Sequence, residues 1–457
     1  MLRSPIPRFP AVLIPAFHLA FACSSIQRVP ELVFPKPTAT PPSTPSELGA
    51  PTETPPDTAP GAISAAVLAQ MEEIERQVSA LRGLQPTGPV RRALLTPDEL
   101  RQRVLDDFLA DYTEAEAADD VIELALLGLL EPGYDLWNLY LELYSEQVAG
   151  FYEDETGQMY VVQGAGFGGP ERLTYAHEFV HALQDQTYDL DEGLGYSDER
   201  CESDTERCAG ISSLIEGDAT LLEEQWLRTY ATERDFDEIL NFYASFQSPV
   251  FDSAPAFLQK DFLFPYEAGL DFTRQLYLEA GWLGVDAAYG EVPLSTEQVL
   301  HPARYPDDPP IWLEASELAD ELGSSWREIE RNVLGEWYTR LMLEAQIAPE
   351  AASAAAEGWE GDVYLVFRQE ATARSALVLV TLWDGVGQAQ EAFAAIREYA
   401  DLRFGPGQVD SGQAEWQGDF GMARLVRVSD QTLWILGPDA AVVETLGAGV
   451  TFPALMR

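Results

Sequence analysis

The sequence predicts a mixed α+β protein: a mainly helical body carrying a short β-hairpin, followed by a smaller C-terminal α+β unit. Three observations predict it. Apolar residues recur at three- and four-residue spacing through much of residues 65–346, the period of amphipathic helices. Two short apolar runs, Gly150-Phe151-Tyr152 and Met159-Tyr160-Val161-Val162, flank an Asp/Gly turn, Asp154-Glu155-Thr156-Gly157, as in a hairpin. Beyond about residue 360 the texture changes to short strand-like runs around one helical stretch. At 457 residues, 46% of them hydrophobic, the chain can bury the cores of two or three domains, which excludes wholesale disorder.

In chain order, the first segment reads as an export leader. Arg3 and Arg8 precede an apolar run at 11–21 (AVLIPAFHLAF), too short to span a bilayer and of the right length for a signal peptide. Ala20-Phe21-Ala22-Cys23 follows, which resembles the lipobox of bacterial lipoproteins, with Cys23 as the lipidation site. An ordinary cleaved signal peptide is the rival reading. Residues 24–61, rich in Pro, Thr and Ser from 34 on, read as an extended tether. No other stretch approaches the roughly 18 apolar residues of a membrane-spanning helix.

The body is expected at 62–310. Helices are expected at 65–84, from Thr96-Pro97-Asp98-Glu99 through about 145, and at 171–186, 211–231, about 265–280 and 325–346. The C-terminal region, 311–457, is expected to be helical and then α+β. Its strands should lie at 363–367, 376–383, 422–428 and 432–436, with a helix at 386–402. Cys201 and Cys208 most simply close a loop disulfide in an exported chain, with a metal site as the rival reading.

The formal net charge of -48 argues against nucleic acid and anionic lipid as partners. Membrane attachment is therefore expected only through an anchor at Cys23.

The chemistry concentrates in ERLTYAHEFVHALQDQTY at 171–188. His177 and His181, four apart, lie one turn apart on one face of a helix. Two imidazoles so placed can bind one Zn²⁺, and Glu178 reaches the bound water: the pattern H-E-x-x-H. A third ligand is needed. Glu216 is flanked by apolar residues in Leu214-Ile215-Glu216-Gly217-Asp218-Ala219, which puts a carboxylate on a side that ought to be buried. Asp218 is the reserve ligand, or a partner that orients a ligating imidazole. Glu223 and Glu224 are read as solvated.

HExxH on one helix with a Glu on a following helix is similar to the gluzincin branch of zinc metallopeptidases. The string His177-Glu178-Phe179-Val180-His181-Ala182-Leu183-Gln184-Asp185-Gln186 resembles uncharacterised bacterial exported zincin-like proteins. So do residues 147–152 (QVAGFY) and 295–302 (STEQVLHP). The resemblance covers roughly residues 95–305. It implies a zincin-like catalytic domain, a Zn²⁺ cofactor and a peptide or protein substrate; the leader, the anchor and the tether imply an extracytoplasmic location at a bacterial cell surface. The chain departs from the best-known gluzincins in having Thr220, not Asp, four residues after Glu216.

The mechanism implied is metal-assisted hydrolysis with Glu178 as general base. An oxyanion donor is expected from His301 or Tyr305 in LHPARY, against the plain alternative of a structural histidine. The strand 159–162 is read either as an edge that pairs with an extended substrate or simply as a sheet strand. Two rival functions remain: a non-proteolytic surface binding or assembly module with structural zinc, and a zinc hydrolase of a non-peptide amide.

Overall fold

The computed structural model describes residues 12–15, 63–154, 156–162, 166–315, 317–369 and 371–450. Most of the leader, Cys23 and the tether at 24–61 lie outside the described residues. The protein is mixed α+β, with a helical body and a C-terminal sheet region.

The body opens with α1 (Ala65–Arg82), capped by the Ser64 side chain and closed by Gly83 in the left-handed region. Next come α2 (Pro97–Asp111), α3 (Glu114–Leu126) and α4 (Leu136–Gln147). Helix α3 starts in a reciprocal capping box between Thr113 and Glu116. Helix α5 (Gly169–Tyr188) carries the H-E-x-x-H residues. Every side chain from Leu173 to Gln184 is buried. A helix buried all round is a central one. Helix α5 is followed by α6 (Asp198–Ser203), α7 (Thr205–Thr229), α8 (Glu233–Ser245), α9 (Pro249–Ser253), α10 (Ala256–Ala280), α11 (Trp282–Gly290) and α12 (Thr296–Leu300), of which α7 and α8 pack directly on it. Helix α10 begins well before the expected 265, and Pro265 lies inside it. Cys201 and Cys208 are joined by a disulfide that ties α6 to the start of α7.

A four-stranded sheet lies beside α5. Its strands are β1 (Val12–Pro15), β2 (Arg91–Leu95), β3 (Val148–Glu153) and β4 (Gln158–Val162), in the order β1-β3-β4-β2. Strands β3 and β4 form the expected hairpin, with Phe151 opposite Tyr160. Strand β2, absent from the sequence expectation, pairs in parallel with β4. Strand β4 is thus paired on both sides and is no edge, which corrects the reading of 159–162 as a strand open to substrate. Met71, Ile74 and Val78 of α1 share one core with Met159, Val161, Phe179, Val180 and Leu222, so α1, the sheet, α5 and α7 pack as one unit.

After α13 (Ala319–Leu322) comes β5 (Arg327–Asn332), where a helix was expected from 325. That helix begins only at α14 (Gly335–Glu344), followed by α15 (Pro349–Ala356). Then come β6 (Trp359–Gln369), β7 (Arg374–Trp383), α16 (Val386–Phe404), β8 (Gln408–Asp410), β9 (Gln413–Gly418), β10 (Gly421–Val428), β11 (Gln431–Gly437) and α17 (Ala440–Gly449). The second sheet has the order β5-β6-β7-β11-β10-β9-β8, antiparallel throughout. Both faces of its centre are covered. Leu377, Leu379, Trp434 and Leu436 face the core of α16, while Val378, Val380, Leu433 and Ile435 face that of α17. This explains their unbroken apolar runs. The sheet region is fixed to α3: Tyr399 Oη donates to Leu127 O at 2.7 Å, and Arg403 donates to the carbonyls of Ala125 and Leu126.

Candidate metal centre

The site forms where α5 packs against α7, which α10 crosses in turn. Helix periodicity puts His177 and His181 on one face of α5, with ring centroids 4.8 Å apart. Glu216 comes from α7: its Oε2 lies 3.2 Å from His177 Nε2 and 3.6 Å from His181 Nε2. The three ligand atoms lie within 4.8 Å of one another, and all three residues are buried. Two imidazole nitrogens and one carboxylate oxygen are the donor set of a catalytic zinc site with an open position. His181 Nε2 is buried without a hydrogen-bond partner. A bare, buried lone pair aimed at the convergence point fits a metal ion.

The close approach of α7 and α10 rests on glycine. A Cβ on Gly217 would sit 2.1 Å from Gly269 O, and one on Gly269 would sit 2.1 Å from Ser213 O, so neither helix tolerates a side chain there. The crossing carries Tyr266, one turn before Gly269, to Glu216, where the two side chains hydrogen-bond. On the other side of α5, β3 passes close to Glu178. A Cβ on Gly150 would lie 2.9 Å from Thr174 Cγ2 and 3.6 Å from Glu178 Cγ.

Glu178 is fully buried; neither carboxylate oxygen makes a well-formed hydrogen bond, and the Tyr152 N–H on β3 is a backbone donor that faces it. Burial pushes its carboxyl well above the usual range, against a pull from the neighbouring His177 ring. The two histidines have opposite surroundings. His177 Nδ1 faces Glu223 Oε2 at 3.0 Å. Burial disfavours its charge, but hydrogen bonds with Glu216 and Glu223 hold its pKa up at about 10. His181 has no carboxylate at its Nδ1, and burial, then the charge of His177, take its pKa well below the usual value.

The structure brings His177, His181 and Glu216 together with Glu178 beside them. It does not bring in the other expected residues. Asp218, the reserve ligand, points away and is bound by the Arg82 guanidinium at 2.8 and 3.1 Å, so it is outside the ligand group. His301 Nε2 is hydrogen-bonded to Glu336 Oε1 at 2.8 Å, and Tyr305 Oη donates to the Glu291 carbonyl at 2.6 Å. Both expected oxyanion donors are therefore engaged elsewhere; the Tyr266 hydroxyl stands at the site, bonded to Glu216. Glu223 and Glu224, read as solvated, are buried. Glu223 was detectable: seven residues after Glu216 is two helical turns, hence the same face. Tyr266 left no signal in the sequence, because only the α7–α10 crossing brings it in.

One family model matches the chain, over residues 322–447, described as a domain of unknown function (DUF8575). The match covers the C-terminal sheet region and none of the candidate metal centre. No curated protein and no solved structure matches the chain.

Proposed function

We propose that the chain is an exported, gluzincin-like zinc peptidase that hydrolyses peptide bonds, with His177, His181 and Glu216 as metal ligands and Glu178 as general base. One observation carries the reading: two imidazole nitrogens and a carboxylate converge within 4.8 Å beside a fully buried carboxyl that makes no well-formed hydrogen bond. A purely structural metal site has no use for Glu178, whose burial is costly.

Bound zinc would supply Lewis acidity, making water more acidic and the scissile carbonyl more electrophilic. Glu178 takes a proton from the attacking water and returns it to the leaving amine. Glu223 holds His177 with Nδ1 as donor, leaving Nε2 as ligand. Tyr266 donates its O–H to Glu216 and so orients that ligand.

Export, with lipid attachment at Cys23, is part of the proposal. The Cys201–Cys208 disulfide supports an oxidising compartment. Among the described residues no helix is long and apolar enough to cross a membrane, so attachment would rest on the anchor.

The test is mass-spectrometric detection of cleavage in a diverse peptide library, for wild type beside Glu178→Gln, with zinc content measured on both. Products made by wild type and lost in a variant that keeps its zinc support the reading. Full activity in the variant, or a zinc-loaded wild type that cleaves nothing, sinks it.

A further inference from the structure

We propose that Gln184 is a positioning residue that fixes the tautomer of His181, and that Asp218 and Arg82 hold it in place, so that helix α1 is coupled to the metal centre. The proposal rests on the metal reading above.

Hydrogen-bond accounting carries the argument. Gln184 is fully buried, one turn beyond His181 on α5. Its Nε2 donates to the Ile215 carbonyl at 3.0 Å and to Asp218 Oδ2 at 3.0 Å. Both partners only accept, so the amide is fixed with Nε2 on that side. Its Oε1 then faces His181 Nδ1 at 2.8 Å. An amide oxygen only accepts, so His181 must carry its proton on Nδ1. The lone pair is left on Nε2, the atom that points at Glu216 without a hydrogen-bond partner.

What holds Gln184 is a buried ion pair. Asp218 is fully buried and receives Arg82 Nε at 2.8 Å on Oδ1. On Oδ2 it receives Arg82 Nη2 at 3.1 Å and Tyr289 Oη at 2.8 Å. Arg82, the last residue of α1, is itself fully buried. Its Nη1 donates to Asp286 Oδ1 at 2.6 Å, and its guanidinium lies 4.6 Å from the Trp282 ring centroid. The same Asp286 oxygen accepts from Tyr188 Oη at 2.8 Å, and Tyr188 stacks on Tyr289. A planar, five-donor guanidinium is the group that can bind one carboxylate with two N–H and another with a third. The chain of contacts therefore runs from α1 through Asp218 and Gln184 to the ring of His181.

The test uses the full chain, labelled with ¹⁵N-histidine and kept metal-free, as wild type and Gln184→Met. Methionine keeps the volume and removes both hydrogen-bonding ends. Long-range ¹⁵N–¹H spectra report the tautomer of each ring, with His301→Gln to assist assignment. Wild type is expected to show His181 as the Nδ1–H form. Gln184→Met is expected to show a mixture with the Nε2–H form. Competition with a chelator is expected to show zinc affinity about 10–100-fold lower in the variant. Arg82→Lys keeps the charge and loses the fork, and is expected to move the His181 signal in the same direction by less. A wild-type His181 in the Nε2–H form overturns the proposal. So does a folded Gln184→Met with unchanged tautomer and zinc affinity. A wild type with Nδ1–H on His181 that takes up no zinc overturns the metal reading and, with it, the role given to Gln184. Zinc bound equally by wild type and variant overturns the role of Gln184 alone.

Discussion

Glu178 in the helical body and Asp362 in the C-terminal sheet are both fully buried carboxyls, and their surroundings could hardly differ more. Asp362 Oδ1 accepts from Leu334 N at 2.7 Å, and Oδ2 from Gly335 N at 3.0 Å and Trp359 Nε1 at 2.6 Å. Burial pushes its pKa up to about 6, and those three donors pull against it. Glu178 meets one backbone donor, the Tyr152 N–H on β3, and neither of its oxygens makes a well-formed hydrogen bond. The difference teaches that burial of charge does not by itself mark a site. Asp362 closes the turn between β5 and α14 onto β6, and its hydrogen-bonding capacity is used up by the fold. Glu178 keeps its capacity for something the fold does not provide.

That comparison breaks if the two carboxyls respond alike to removal. The largest effect is expected for Glu178→Gln: kcat about 10²–10⁴-fold lower, with zinc content and melting temperature held or slightly raised. Stopped assays on a peptide substrate and a thermal melt read both. Asp362→Ala is expected to do the reverse. Three buried N–H groups lose their acceptor, at about 1–3 kcal/mol each, so the melting temperature should fall by about 5–10 °C while zinc content is kept. A stable, inactive Asp362→Ala would place that residue with the site instead of the scaffold.

The comparison sharpens within the site. His177 is held by an anionic partner, Glu223, and His181 by a neutral one, Gln184. Glu223→Gln keeps an acceptor for Nδ1 and removes its charge. Zinc affinity is expected to fall about tenfold, the low end for such partners, without loss of fold. Chelator competition measures it. An unchanged affinity would mean that the charge of Glu223 contributes nothing to the ligand it faces.

How much of this was legible follows the range of the contacts. The meeting of His177 with His181 is local, fixed by helical spacing, and Glu216 was marked by apolar neighbours on both sides. Glu223 carried the same helical signal and was misread because adjacent Glu223 and Glu224 look like a solvated pair. Gln184, Asp218 and Arg82 span α1, α5 and α7, and no local period links them. The strands of the second sheet that are buried on both faces were readable as apolar runs. Strand β5, Arg-Glu-Ile-Glu-Arg-Asn, has charges on both faces and reads as a helix. Its pairing with β6, a tertiary contact, decides otherwise. Strands β8 and β9 are short and polar at the edge, and gave no signal for the same reason.

The smallest expected effect concerns His301, which belongs to the seam between the helical body and α14. Its hydrogen bond to Glu336 raises its pKa, with burial pulling the other way; Glu357 adds to the rise and Arg304 opposes it. A histidine whose folded pKa lies above its unfolded value contributes stability that is fully present below the unfolded pKa, about 6.5. That stability is lost as pH rises through the folded value. Melting curves of wild type and His301→Gln should therefore differ at pH 5–6, by about 1 kcal/mol or a few degrees, since the pair is partly open to solvent. At alkaline pH the two curves should converge. Zinc affinity should be the same for both proteins at every pH, because this ring faces Glu336 and not the metal centre. A His301→Gln protein that lost zinc would return His301 to the site from which its hydrogen bond now separates it.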